Sequence, residues 1–190
     1  MENKLWLWIG IPVAVILLGI FWYIGTYNSL IRINEGVNGK WAQVETQYQR
    51  RVDLIPNLVA TVKGAANFEQ STLTDITKLR SQWQNVPAGN IGQKIETANQ
   101  IESTLSKLLV IAENYPQLTA TENYRDLQSE LANTENKVAV ERGRYNDAVR
   151  DFNARIKTFP SSIVARKLGY ADKLYYNSKP GAENAPEVRI

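Results

Sequence analysis

The first pattern along the chain is an apolar run, Leu5 to Ile24, twenty residues without a charge. At about 1.5 Å of rise per residue a helix of this length covers about 30 Å, the hydrocarbon thickness of a bilayer. A soluble core helix rarely runs so far without a polar face. A cleaved signal peptide needs small residues at its end, where this chain has the bulky Phe21-Trp22-Tyr23-Ile24. The pattern predicts an uncleaved transmembrane helix. Trp6 and Trp8 near one end, and Trp22 and Tyr23 near the other, are the expected membrane-interface residues, because amphipathic rings favour the headgroup level. No second long apolar run follows, so a single span is expected.

Beyond the span the apolar period becomes helical. Val37, Val44, Leu58 and Ala65 share one heptad column, interrupted by Arg51, and Trp41, Tyr48, Ile55 and Val62 form the next. Steps of three and four place both columns on one helix face. The register passes Pro56 without slipping, which predicts a kink there; a fresh helix capped by Asp53 is the alternative. Gly36 and Gly39 weaken the preceding stretch and mark either a hinge or a close helix contact. Leu73, Ile76, Leu79 and Trp83 continue a helical face that stops at Asn85-Val86-Pro87-Ala88-Gly89. A helix from Ile91 to Glu113 follows, ended by Tyr115-Pro116.

The longest pattern is Tyr124, Leu131, Val138, Tyr145, Phe152 and Phe159, one residue in seven, with Leu127, Ala148, Val149 and Ile156 alongside. It predicts one helix over Thr121 to Thr158, closed by Pro160. Ser161 or Ser162 is the expected cap of a short segment, Ile163 to Tyr176, and the remaining SKPGAENAPEVRI is expected to be extended. The chain therefore reads as all-α: one N-terminal transmembrane helix, then an antiparallel bundle of three to four long helices with coiled-coil-like packing. The expected division is 1–25 as anchor, 26–160 as helical bundle, and 161–190 as short helix and extended C-terminal tail.

Composition narrows the chemistry. There is no cysteine and no histidine among 190 residues. That removes Ser-His and Cys-His pairs, disulfides, the commonest metal ligand and the usual acid/base catalyst. No enzymatic activity and no cofactor are expected. Carboxylates such as Glu130 and Glu135, or Asp147 and Asp151, fall at ordinary helix spacings, where pairing with arginine within the helix is the simpler role. The net charge of +3 is too mild to argue for nucleic acid. The charge is uneven, however: Arg155 to Lys179 holds six basic residues and one acid, Asp172.

At Arg50-Arg51-Val52-Asp53-Leu54-Ile55-Pro56-Asn57-Leu58-Val59 and Val62-Lys63-Gly64 the chain resembles the LemA family of bacterial membrane proteins. The likeness continues through Tyr27-Asn28-Ser29-Leu30, Trp41, Tyr115-Pro116-Gln117-Leu118, Leu127-Gln128-x-Glu130-Leu131, Thr134-Glu135, Arg142-x-x-Tyr145-Asn146, Phe152-Asn153, Phe159-Pro160 and Ala185-Pro186-x-Val188. The resemblance implies an amino-terminal membrane helix and a helical bundle, in the bacterial cytoplasmic membrane, and it implies no reaction. Positive charges flanking the span are close to balanced, with Lys4 before it and Arg32 and Lys40 after it; the bundle is expected on the extracytoplasmic side.

Two groups are candidate partner or lipid contacts: Arg50 and Arg51 beside Pro56, and Arg166, Lys167 and Lys173 in the basic, tyrosine-containing C-terminal segment. For Arg51 the competing role is an ion pair to an acid on a neighbouring helix, which sets register. Asn57, Asn146 and Asn153 are candidates for satisfying backbone groups freed at the kink or for bonds between helices, with a plain surface position as the alternative. The expected function is a membrane-anchored scaffold or adaptor that self-associates, with membrane lipid, a second copy, or an unidentified membrane protein as partner. The alternative is a lipid-sensing or membrane-remodelling module that uses the basic aromatic C-terminal segment.

Overall fold

A computed structural model describes residues 2–64 and 69–177, with side chains from Ile9 onward. The side chains of Trp6 and Trp8, together with Ala65, Lys179 and the tail from 178 to 190, lie outside the described residues. Within them the chain is all-helical: α1 (Glu2–Lys63), α2 (Gln70–Asn85), α3 (Ile91–Ala112), α4 (Pro116–Thr119), α5 (Glu122–Lys157) and α6 (Ser161–Lys167).

Helix α1 passes Pro56 without interruption, so no new helix starts there, and Asp53 accepts a side-chain bond from Gln49 (2.8 Å) instead of capping one. It is also continuous through Gly36 and Gly39, where an added Cβ would meet nothing within 4 Å. Neither glycine marks a close helix contact. The remaining ends follow local chemistry. Asn90 caps α3 by accepting from the Gln93 backbone N–H (3.1 Å), and Pro116 begins α4, where its missing N–H costs nothing.

Contacts divide the chain into two compact units, and α1 and α5 contribute to both. The first holds α1 up to Lys40, α5 from Asn146, α6 and the segment to Lys173. On α1 the side chains from Ile9 to Gly25 are exposed, and Thr26, Leu30 and Val37 are the first to be buried. Burial thus begins where the apolar run ends. Val149, Phe152 and Ile156 of α5 and Val164 and Ala165 of α6 are also buried. Asn153, itself buried, donates to the Lys173 carbonyl (3.0 Å) and accepts from the Lys173 N–H (2.8 Å). One amide side chain therefore pairs with both backbone groups of Lys173 in an extended segment.

Three expectations fail at this end of the chain. Phe159 continues the seven-residue column but is 77% exposed, because α5 ends at Lys157 and the column loses its meaning once the helix stops. Neither serine caps α6 through its side chain: Pro160 holds the N-cap position, and the Ser161 hydroxyl donates to the carbonyls of Arg155 and Thr158 (2.8 Å each). Helix α6 also ends at Lys167, nine residues before Tyr176. Gly169, at φ 69°, turns the chain out of the helix. The Gly169 N–H bonds the Arg166 carbonyl (3.1 Å) and the Tyr170 N–H bonds the Ala165 carbonyl (3.1 Å), the Schellman pattern of helix termination.

This geometry has a measurable sign. Gly169→Ala is expected to cost about 1–2 kcal/mol, because a Cβ is strained in the left-handed region. Gly36→Ala, in open space within a helix, is expected to gain about 0.5–1 kcal/mol. Chemical denaturation of the full chain in detergent, followed by circular dichroism, reads both.

The second unit holds α1 from Trp41, α2, α3, α4, α5 up to Tyr145, and the extended residues 174–177. Both columns of α1 turn inward there: Trp41, Val44, Tyr48, Ile55, Leu58 and Val62 are buried. Ile76 and Trp83 of α2, Ile101, Leu105 and Leu108 of α3, and Leu131, Val138 and Tyr145 of α5 are buried as well and complete the apolar interior of this unit. Specific pairs align the helices. Trp83 Nε1 donates to Gln49 Oε1 (3.1 Å), the Trp41 and Tyr145 rings meet edge-on at 5.3 Å, and Arg51 pairs with Glu135.

Candidate functional site

The heptad spacing of α1 points Tyr48 into this interior, where a phenol needs partners for its hydroxyl. Three other segments provide them. Glu102 of α3 accepts a hydrogen bond from the Tyr48 hydroxyl, and Arg142 of α5 reaches both Tyr48 and the Glu102 carboxylate. Tyr176 arrives from the extended C-terminal segment, its hydroxyl 2.7 Å from that of Tyr48. The Tyr176 hydroxyl also donates to Asn99 Oδ1 (3.2 Å), and Asn99 returns a bond to the Asn177 carbonyl (3.3 Å).

The rings strengthen the junction. Tyr48 and Tyr176 stack 9° from parallel with centroids 6.2 Å apart, and the Arg142 guanidinium lies 4.4 Å from the Tyr176 centroid. A cation over an aromatic face is attracted by the ring quadrupole, more strongly where water is excluded. Burial lowers the Arg142 guanidinium from its usual range, with the Tyr176 phenol opposing. Burial likewise raises Tyr176, against the pull of Arg142. Nearby, Tyr145 donates to the Leu174 carbonyl (2.8 Å), and burial pushes its phenol up to about 12. The C-terminal segment is thus held by two phenols and an asparagine.

A second charged cluster adjoins this junction, because the Trp83 ring lies 5.3 Å from that of Tyr48. Lys94, buried, donates to the Trp83 carbonyl (3.0 Å), lies 4.3 Å from the centre of the Trp83 ring and pairs with Glu45 (3.0 Å). An ammonium is tolerated there because carbonyl, carboxylate and ring replace its water.

The sequence-derived candidates are dispersed. Arg50 is exposed. Arg51 is 6% exposed and directed at Glu135, and burial pulls its guanidinium down to about 10, so it is not presented to an outside ligand. Glu135 therefore pairs across helices, whereas Asp147 and Asp151 pair with Arg150 of their own helix (2.7 and 3.3 Å). Lys173 turns inward to Asn38 Oδ1 (3.2 Å) and over the Phe152 ring, and burial lowers its ammonium. Arg166 and Lys167 are exposed, and Lys167 Nζ lies 5.7 Å from the centre of the Tyr23 ring. That contact joins a candidate lipid-contact residue to an expected membrane-interface residue. Trp22 is exposed near it in sequence, Asn57 is at the surface, and Asn153 holds Lys173.

Glu102 is not among the sequence-derived candidates, Arg142 enters only as a residue of the family likeness, and Tyr176 belongs to the segment read as a lipid-facing surface, whereas it is buried. The signal available was weak: an arginine three residues before Tyr145 on a buried column, and a tyrosine in a segment without periodicity.

Residues 40–190 match the family model of the LemA family. The chain belongs to the LemA family. Both the buried junction and the Lys94 cluster fall within the matched region. The chain is similar to Protein LemA of Metamycoplasma hominis, at 29% identity over 81% of this chain and 71% of that protein. It is also similar to Magnetosome protein MamQ of Magnetospirillum gryphiswaldense, at 23% over 92% of this chain and 75% of that protein. Magnetosome protein MamQ 2 of Paramagnetospirillum magneticum matches at 23%, over 83% of this chain and 66% of that protein.

The surface of this LemA-family chain carries open grooves. One, of 780 Å³, is lined by Thr61, Tyr115, Leu118 and Asn123 among others. Another, of 340 Å³, is lined by glutamines and asparagine around Glu96. Neither brings two carboxylates together. No group of three metal-binding side chains occurs among the described residues.

Proposed function

We propose that this chain is a single-pass, membrane-anchored helical scaffold or adaptor that performs no reaction of its own and self-associates. One observation carries the reading: the exposed apolar side chains of 9–24 belong to the same unbroken helix whose later residues form the buried seam. A helix long and apolar enough to cross a membrane, in a LemA-family chain similar to magnetosome proteins, supports a membrane location. In this reading α1, α2, α3 and α5 form an antiparallel bundle with coiled-coil-like seams. The pairs Tyr48–Arg142 and Arg51–Glu135 advance in opposite senses along α1 and α5, which supports that arrangement. The soluble helices are placed on the extracytoplasmic side, with Lys4 and the amino terminus inside.

Self-association would use the span, where Gly10 and Ala14 offer a small face and a Cβ at Gly10 would meet nothing within 4 Å. The other partner is an unidentified membrane protein. Cross-linking in intact membranes is expected to trap dimers or larger species of the full chain, and Gly10→Leu to reduce their yield. A chain trapped only as monomer overturns self-association.

A second reading, a lipid-sensing or membrane-remodelling module, is favoured by the position of Lys167 over Tyr23.

A further inference from the structure

The outward face of α6 is chemically unusual. Ser161, Val164 and Ala165 are buried, which leaves Ile163, Arg166 and Lys167 outward, and Ile163 and Lys167 are one helical turn apart. Ile163 is 50% exposed and Phe159, just before the helix, is 77% exposed. Large apolar side chains beside two cations suit the boundary between headgroups and acyl chains, where each finds a favourable solvent.

The place of this face within its unit agrees. Lys167 Nζ lies over the Tyr23 ring, at the end of the apolar run, and burial on α1 begins three residues later at Thr26. An aromatic at the end of a span is held at headgroup depth. The nearest acid in sequence, Asp172, is paired with Lys157 (2.7 Å) and leaves the charge of Arg166 and Lys167 uncompensated from that side.

We propose that Phe159, Ile163, Arg166 and Lys167 form a membrane foot. The two apolar side chains enter the interfacial layer of the leaflet surrounding Tyr23, and the two cations engage lipid phosphate. The proposal rests on reading residues 9–24 as the span, and it extends the lipid contact to Phe159 and Ile163. The occupant is the bilayer that holds the anchor, because the foot lies against the end of the apolar run.

The absence of native cysteine makes the test direct. Single variants of the full chain, Phe159→Cys, Ile163→Cys, Gly19→Cys and Val140→Cys, are labelled with an environment-sensitive nitrobenzoxadiazole dye. They are reconstituted at high dilution into phosphatidylcholine vesicles with and without phosphatidylglycerol, after circular dichroism matches each to the parent. The labels at 159 and 163 are expected to shift to the blue, with a several-fold rise in intensity, and to be quenched by nitroxide at the headgroup. The label at 19 is quenched by nitroxide deep in the acyl chain, and that at 140 stays in water. Adding Arg166→Gln and Lys167→Gln is expected to abolish the extra shift that phosphatidylglycerol produces.

Labels at 159 and 163 that stay in water while that at 19 lies in lipid overturn the foot and leave the span intact. A label at 19 in water overturns the span as well. A shift at 159 or 163 that grows with the ratio of protein to lipid assigns the face to a second copy and also overturns the foot.

Discussion

Arg142→Ala is expected to destabilise the chain by about 3 kcal/mol, the lower end of the range for removing one partner of a buried ion pair. The lower end applies because Arg142 and Glu102 keep 15% and 22% of their side-chain surface exposed. The loss is large because it is shared. Glu102 loses the Arg142 cation, the Tyr48 hydroxyl loses the Arg142 donor, and the Tyr176 ring loses the guanidinium over it. A part-buried charge that loses its counter-ion recovers less of the cost of leaving water. The double variant Arg142→Met/Glu102→Leu is therefore expected to be more stable than Arg142→Ala alone, since it removes both charges together. Denaturation midpoints of the full chain in detergent decide this; a double variant less stable than Arg142→Ala would show that packing rather than charge dominates the junction.

Trp83→Ala is expected to cost about 3–5 kcal/mol, as for other large-to-small changes in a filled core. Trp83 is fully buried, 5.3 Å from the Tyr48 ring, and its N–H is bonded to Gln49. Its removal opens a cavity and takes the aromatic face from Lys94, which keeps the Trp83 position's carbonyl and Glu45. Trp83→Phe retains a ring and loses the N–H, so its cost is expected to stay near 1–1.5 kcal/mol, about one hydrogen bond. The same denaturation series measures both, and equal losses for the two variants would contradict a cavity mechanism.

Much of the helical framework was legible because periodicity is a local property. Every described member of the two α1 columns is buried, Arg51 included, since a residue at a heptad position is carried inward whatever its polarity. The loop at Pro87-Ala88-Gly89 and the end of α3 before Tyr115-Pro116 followed from proline and glycine, whereas the Asn90 cap that begins α3 is a finding of the structure. Past Lys157 the same reasoning failed. Phe159 kept the period after the helix had ended, and Gly169 stopped α6 although the aromatic residues continued to Tyr176. Periodicity does not register a helix end, and a single glycine is ambiguous until its φ is known.

Of the polar groups, Arg51 was conspicuous because it interrupted an apolar column, but the column did not name Glu135, 84 residues away, as its partner. Tyr176 carried no such mark. It is buried because Tyr48, Asn99 and Arg142, on three different helices, leave a polar opening that its ring and hydroxyl fill.

What the chain by itself determined is the apolar run of residues 5–24, the all-helical character, the faces that turn inward, and the absence of histidine and cysteine chemistry. These depend on residue type and spacing within single elements. Only the tertiary structure decided that Glu102, Arg142 and Tyr176 share one junction, that Lys173 turns inward, and that Lys167 reaches Tyr23. Tyr48 and Tyr176, whose hydroxyls are 2.7 Å apart, are 128 residues apart in sequence, and Lys167 is far along the chain from the span. Such pairings are set by how packed helices align their side chains in space, which local spacing does not encode.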